Sequence, residues 1–156
     1  MTRIGGRNAR AEGEAFECRV EYQALFFGFA VVHMPPGGRH VRSGSGVKII
    51  PQKNPFDFVI SKRAPTCTVS IYFDAKTTAG NTFAFSAINQ IQISELLPLE
   101  RVGNRAGYLI CFRASGLVAF LSASKLASLR PGEGLRPEDG LALGTSMQMD
   151  LLPLLS

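Results

Sequence analysis

The sequence has no tryptophan, two histidines, three cysteines and no long apolar run. Each scarcity excludes something. Cys18, Cys67 and Cys111 lie far apart and form no CxxC pair, so neither a zinc site nor a disulfide framework is expected. The three thiols read as reduced and mostly buried, in a cytoplasmic compartment. His33 and His40 are too few for a histidine metal centre or a Ser-His-Asp triad. The longest apolar stretch, Ala24 to Val32, is interrupted by Gly28 and falls far short of the roughly 20 residues a membrane helix needs. The first residues are polar and basic without an apolar centre, which speaks against a signal peptide.

What is present describes one folded domain. The chain has 156 residues, 46% of them hydrophobic and 19% charged, enough for a real core without staples. Seventeen Lys and Arg face twelve Asp and Glu, a net charge of +5. The excess sits in residues 1–65, with ten basic and five acidic side chains, whereas residues 66–156 hold seven of each. A basic half on a neutral half suits a polyanion such as nucleic acid, and equally suits a merely basic surface.

Along the chain, residues 1–10 read as a flexible basic arm, because they are rich in glycine and arginine and lack apolar periodicity. Phe16, Val20, Ala24 and Phe27 recur at helical spacing, which predicts an amphipathic helix from Ala11 to about Phe27 with Glu14, Glu17 and Glu21 off its stripe, stopped by Gly28. Phe29 to Met34 reads as a strand, and residues 35–54 as a flexible basic loop with a short strand at Val47 to Ile50. Phe56 to Ser61 and Thr68 to Lys76 read as strands, and Asn81 to Phe85 as an extended connection. A helix is expected over Ser86 to Leu97, closed by Pro98. Gly107 to Arg113 and Leu117 to Leu121 have hairpin spacing. A short helix capped by Ser122 precedes residues 131–156, which read as a polar linker over Pro131 to Gly140 and an apolar tail over Leu141 to Ser156, docking on its own domain or a second subunit. The order indicates an α/β fold, a mixed sheet flanked by helices, over residues 11–130.

Asp57 in NPFDFV and Asp74 in YFDAK each sit inside an apolar strand, and Lys76 shares a face with Asp74 because alternate residues of a strand point the same way. Buried carboxylates without partners are costly, and two of them repel. A divalent cation resolves the conflict: Mg²⁺, with Mn²⁺ as a substitute, takes one or two carboxylates and leaves positions for phosphate oxygens. Lys76 can then orient the attacking water or stabilise charge on the phosphate. Taken singly, each residue reads as a strand end or a surface ion pair; the spacing of all three favours a site.

FDFVI followed by IYFDAKTT resembles the metal-ligand strand pair of the PD-(D/E)xK nuclease superfamily, the restriction-endonuclease-like fold, and within it the Holliday-junction resolvases. The resemblance runs from about Gly6 to Leu129. It implies Asp57 as the first acid, Asp74 at the D/E position, Lys76 as the lysine and the Ala75 carbonyl as a further ligand. NARAEGEAF leading to GFAVVHMPPGG is similar to the opening of archaeal-type Hjc resolvases, where a glutamate of the first helix completes the metal site. Glu12 falls at that glutamate, four residues before Phe16 on the edge of the stripe. Glu14 is the second choice, and a helix-dipole partner is the plainer reading of Glu12. NTFAFSAINQIQISEL resembles the segment after the lysine in bacterial RecU resolvases and places Gln92 at the site, although Asn89 and Ile91 stand where RecU proteins show histidines.

Arg7, Arg10, Arg39, Arg42, Lys48, Lys53, Lys62 and Arg63 could line a DNA path, making salt-dependent phosphate contacts that read no sequence; each alone also reads as a solvated charge. His40 belongs to the same basic loop. The combined expectation is a Mg²⁺-dependent endonuclease that resolves four-way junctions by paired symmetric nicks, in the cytoplasm of a bacterial, archaeal or phage-infected cell. The two-fold symmetry of a junction implies a homodimer. The alternatives are a restriction-like or repair endonuclease of the same fold, or a non-catalytic DNA-binding module.

Overall fold

The computed structural model describes residues 4–34, 37–43, 46–52, 54 and 56–156. Helix α1 (Ile4–Phe26) is followed by β1 (Ala30–His33), β2 (Gly37–Ser43), β3 (Gly46–Gln52), β4 (Phe58–Arg63), β5 (Thr68–Thr78) and β6 (Phe83–Ala84). Then come α2 (Gln90–Arg101), β7 (Arg105–Phe112), β8 (Leu117–Ser122), α3 (Ala123–Ala127), β9 (Gly134–Leu135) and β10 (Leu141–Thr145). Six strands form one sheet in the order β1-β4-β5-β7-β8-β10. Only the β5–β7 pairing is parallel, so the sheet is mixed. No helix among the described residues is long and apolar enough to cross a membrane.

Helices cover both faces. Phe16, Val20 and Ala24 of α1, the stripe expected from their spacing, are wholly buried against Phe58, Ile60, Ile71 and Phe73. Burying each large side chain stabilises the fold by about 1.5–3 kcal/mol. On the other face Ile93 and Leu96 of α2 and Leu126 of α3 pack on Tyr108, Ile110, Ala119 and Leu121. Strand β7 is sandwiched, which is why GYLICF runs apolar without alternation. Gly107 is required there, because a Cβ would overlap the Leu121 carbonyl on β8.

Several elements differ from expectation. Helix α1 starts at Ile4, so most of the expected arm is its first turns. It ends as expected at Gly28, whose φ of 77° suits only glycine well. The stretch expected as a basic loop forms an antiparallel hairpin, β2 with β3, from Gly37↔Gln52 to Ser43↔Gly46. Pro98 does not close α2 but lies inside it, and the helix begins at Gln90, where the Asn89 side chain accepts from the N–H groups of Ile91 and Gln92. Of the two readings of the tail, docking on its own domain is the one seen: β10 joins the sheet beside β8, and Leu151 and Leu154 are wholly buried in the α1-side core. Of the cysteines only Cys111 is buried; Cys18, on the outer side of α1, and Cys67, in the turn before β5, are exposed.

Candidate active site

The site forms where β5 outruns its neighbour. Pairing of β4 with β5 stops at Phe58↔Phe73, while β5 continues beside β7 to Thr78↔Phe112. Asp57, just before β4, is held at the fork: its N–H donates to the Phe73 carbonyl at 3.1 Å and its carbonyl accepts from Met34 N–H at 2.8 Å. The Phe73 carbonyl therefore points toward β4. Strand alternation puts the Ala75 carbonyl on that same side, past the end of the β4 ladder.

Asp74 is 1% exposed. Its carboxylate forms an ion pair with the Lys76 ammonium two residues on, as the shared strand face requires. The Asp57 carboxyl hydrogen-bonds to Asp74. Burial first, then that hydrogen bond and the charges of Asp74 and Glu17, push the Asp57 carboxyl up to about 8, with Lys76 opposing. Asp57 thus holds its proton to a higher pH than a solvated carboxyl would, the conflict expected of two carboxylates on neighbouring strands. Lys76 also lies over the Tyr108 ring, 5.4 Å from its centroid. The Tyr108 hydroxyl donates to Gln92 Oε1 at 2.9 Å, and burial raises its pKa to about 12. Gln92 is 2% exposed, and its Nε2 has no partner among the described residues.

Both glutamates expected to reach the site from the first helix are engaged in ion pairs. Glu12 pairs with Arg113 beyond the end of β7, and Glu14 pairs with Arg10 on the exposed side of α1. Glu17 is the one within electrostatic reach of Asp57 and Asp74. Its pKa is raised, chiefly by burial, and its carboxylate lies 3.9 Å from His33 Nε2. On a helical wheel Glu12 lies about 40° to one side of Phe16 and Glu17 about 100° to the other, beyond Val20 and Ala24. Both flank the buried stripe, on opposite edges. Neighbouring Val20 and Ala24 was the signal that could have marked Glu17. His33 itself stacks on Phe58, ring centroids 4.6 Å apart.

Among the described residues no three Asp, Glu, His or Cys side chains are gathered into a ready cage for a metal ion. The donor set fits Mg²⁺ nonetheless: two adjacent carboxylates, plus the Ala75 main-chain carbonyl just past the last β4–β5 pair among the described residues. Mg²⁺ keeps several waters and needs only one or two carboxylates.

No model of a protein family and no curated protein matches the chain. Solved structures do. Hjc of Archaeoglobus fulgidus, a Holliday junction resolvase from an archaeal hyperthermophile, superposes with a TM-score of 0.52 over 83% of this chain and 95% of that one. The chain has the Hjc fold. At 16% identity the likeness is one of architecture: a mixed sheet flanked by helices, as the PD-(D/E)xK resemblance implied.

The cations expected along a DNA path are placed unevenly. Arg7 and Arg10 are exposed on the first turns of α1. Lys53 lies outside the described residues. Arg39, Arg42 and Lys48 stand on β2 and β3, and their side chains are outside the described set, as is that of His40. Lys62 is occupied otherwise: its ammonium donates to the Phe27 carbonyl at the end of α1 and lies 5.5 Å from the Phe29 ring centroid. It ties the helix to the sheet.

Proposed function

We propose that this protein is a metal-dependent, structure-selective DNA endonuclease that resolves four-way junctions by paired symmetric nicks, acting as a homodimer in the cytoplasm. The observation that carries the reading is the convergence of Asp57, Asp74 and Lys76 at the fork between β4 and β5, on the Hjc fold. Asp57, Asp74 and the Ala75 carbonyl would hold Mg²⁺ or Mn²⁺, with Glu17 in the place expected of Glu12. Bound there, the ion supplies Lewis acidity toward the scissile phosphate and its attacking water.

The chain's own groups do the rest. Asp57 gives up its proton, and the two carboxylates then present negative oxygens beside the Ala75 carbonyl of β5. Lys76, 24% exposed, reaches from the buried carboxylate toward solvent, placed to stabilise charge growing on the phosphate. Gln92 Nε2, without a partner among the described residues, would serve as a donor to the site. Arg7, Arg10, Arg39, Arg42, Lys48 and Lys53 would contact phosphates and make binding fall steeply with salt.

The test is cleavage of a labelled synthetic four-way junction and of linear duplexes made from its arms, in Mg²⁺ or EDTA, by wild type and Asp74→Ala. Symmetric nicks confined to the junction, requiring both Mg²⁺ and Asp74, support the reading. Equal cutting of duplex replaces the substrate with duplex DNA. Tight binding without cutting in any metal refutes catalysis.

A further inference from the structure

Tyr108 stands in register with Asp74 across the parallel β5–β7 ladder and is wholly buried. Its hydroxyl is fixed twice, donating to Gln92 Oε1 at 2.9 Å and accepting from the Asn89 N–H at 3.3 Å. Asn89 is itself fixed as the cap of α2. Phe83 packs edge-on against the ring, centroids 6.0 Å apart. The ring is packed against Phe83 and anchored at its hydroxyl, and its face lies under the Lys76 ammonium.

We propose that Tyr108 is a positioning residue for Lys76: its clamped ring forms a platform that sets where the ammonium stands when Asp74 is engaged elsewhere. The proposal rests on the nuclease reading above and deepens it. Lysine is a point charge on a flexible four-carbon stem, so an ion pair alone fixes its distance from one carboxylate but not its direction. The ring face attracts the ammonium from a second direction, and more strongly out of water. Once Asp74 shares its charge with a ligand the ion pair weakens, and the ring contact remains. The same clamp settles the sense of Gln92. Its oxygen is taken by the tyrosine hydroxyl, so its buried Nε2 is left to donate.

Tyr108→Phe keeps the platform and loses the hydroxyl bond; Tyr108→Leu removes the platform. At saturating junction and Mg²⁺, Tyr108→Leu should cut about tenfold to thirtyfold more slowly than wild type, and Tyr108→Phe within about threefold. Junction affinity in Ca²⁺ should stay within about twofold for both, whereas a merely structural role would lower binding and rate together. A readout independent of cutting is the NMR signal of Lys76 in protein carrying ¹³Cε-lysine, assigned by its loss in Lys76→Arg. It should be shifted upfield by the ring in wild type and Tyr108→Phe. Equal rates for the two variants, or an unshifted Lys76 signal in wild type, would overturn the proposal. Wild type that cuts no DNA while its Lys76 signal is shifted instead overturns the nuclease reading, and the positioning role with it.

Discussion

Removing a carboxylate from this site should stabilise the metal-free protein. Asp57 has a folded-state pKa of about 8 against an ordinary 3.8, so between those values the native chain holds a proton that the unfolded chain has released. Stability contributed by a proton held only in the native state is present below pH 4 and is lost as pH rises toward 8. The raised Glu17 acts in the same sense. A tenfold change in proton affinity is worth about 1.4 kcal/mol, and screening of a half-buried carboxyl reduces the Asp57 effect to about 2 kcal/mol across that window. Asp57→Asn carries no charge to lose, and its amide can still donate to Asp74. Urea unfolding in EDTA at pH 5, 6, 7 and 8 should therefore show wild type losing about 1.5 kcal/mol on this account, Asp57→Asn keeping it, and the variant being the more stable protein at pH 8. Mg²⁺ at a hundred times its dissociation constant should restore wild type at pH 8 by about 2.7 kcal/mol, and Asp57→Asn far less. Parallel pH profiles for the two proteins, or wild-type stability indifferent to Mg²⁺ at pH 8, would refute the reasoning.

The other predictions separate site residues from scaffold. Glu17→Gln should slow Mg²⁺-dependent cleavage at least about tenfold while Glu12→Gln stays within about threefold, read by single-turnover rates; the reverse order would return the role to Glu12. Lys62→Ala should cost about 1 kcal/mol in urea unfolding, since it leaves the Phe27 carbonyl without its donor, and should leave the salt slope of junction binding unchanged. Leu154→Ala should cost about 2–4 kcal/mol by thermal or urea unfolding, because that side chain is wholly buried in the α1-side core. A free tail would lose nothing.

What could be read from the sequence follows physical locality. The α1 stripe, the β7–β8 hairpin and the Ser122 cap depend on neighbours within a few residues, and each stands where spacing placed it. Asp57, Asp74 and Lys76 were legible for a related reason: a charge inside an apolar strand is conspicuous, and period-two alternation alone decides that Asp74 and Lys76 meet. Elements that depend on distant partners were not legible. Glu12 and Glu17 flank the same stripe, and only the seating of α1 on the sheet decides which faces the acids. The tail's leucines need cover, and the sequence left open whether its own domain or a second subunit gives it; the cover is the chain's own α1-side core. Pro98 signals a helix end by rule; here α2 runs on to Arg101, with the Pro98 carbonyl accepting from Val102 N–H at 3.2 Å.

The position of the site has one topological cause. A strand paired on both sides offers a ligand no main-chain group, and a strand paired on neither does not hold an acid still. Strand β5 satisfies both needs because its neighbours end at different heights. Strand β7 fixes Asp74 and Lys76 from one side to Thr78↔Phe112, while among the described residues the β4 pairing ends at Phe73, short of Ala75. Asp57 marks the fork, so the residue that stops the ladder also supplies the second carboxylate. Extending β4 pairing past Asp57 would close the edge and remove the second acid together. The fork thus ties the sheet's irregularity to its chemistry, and it predicts that Asp57 tolerates substitution for stability far better than for cleavage.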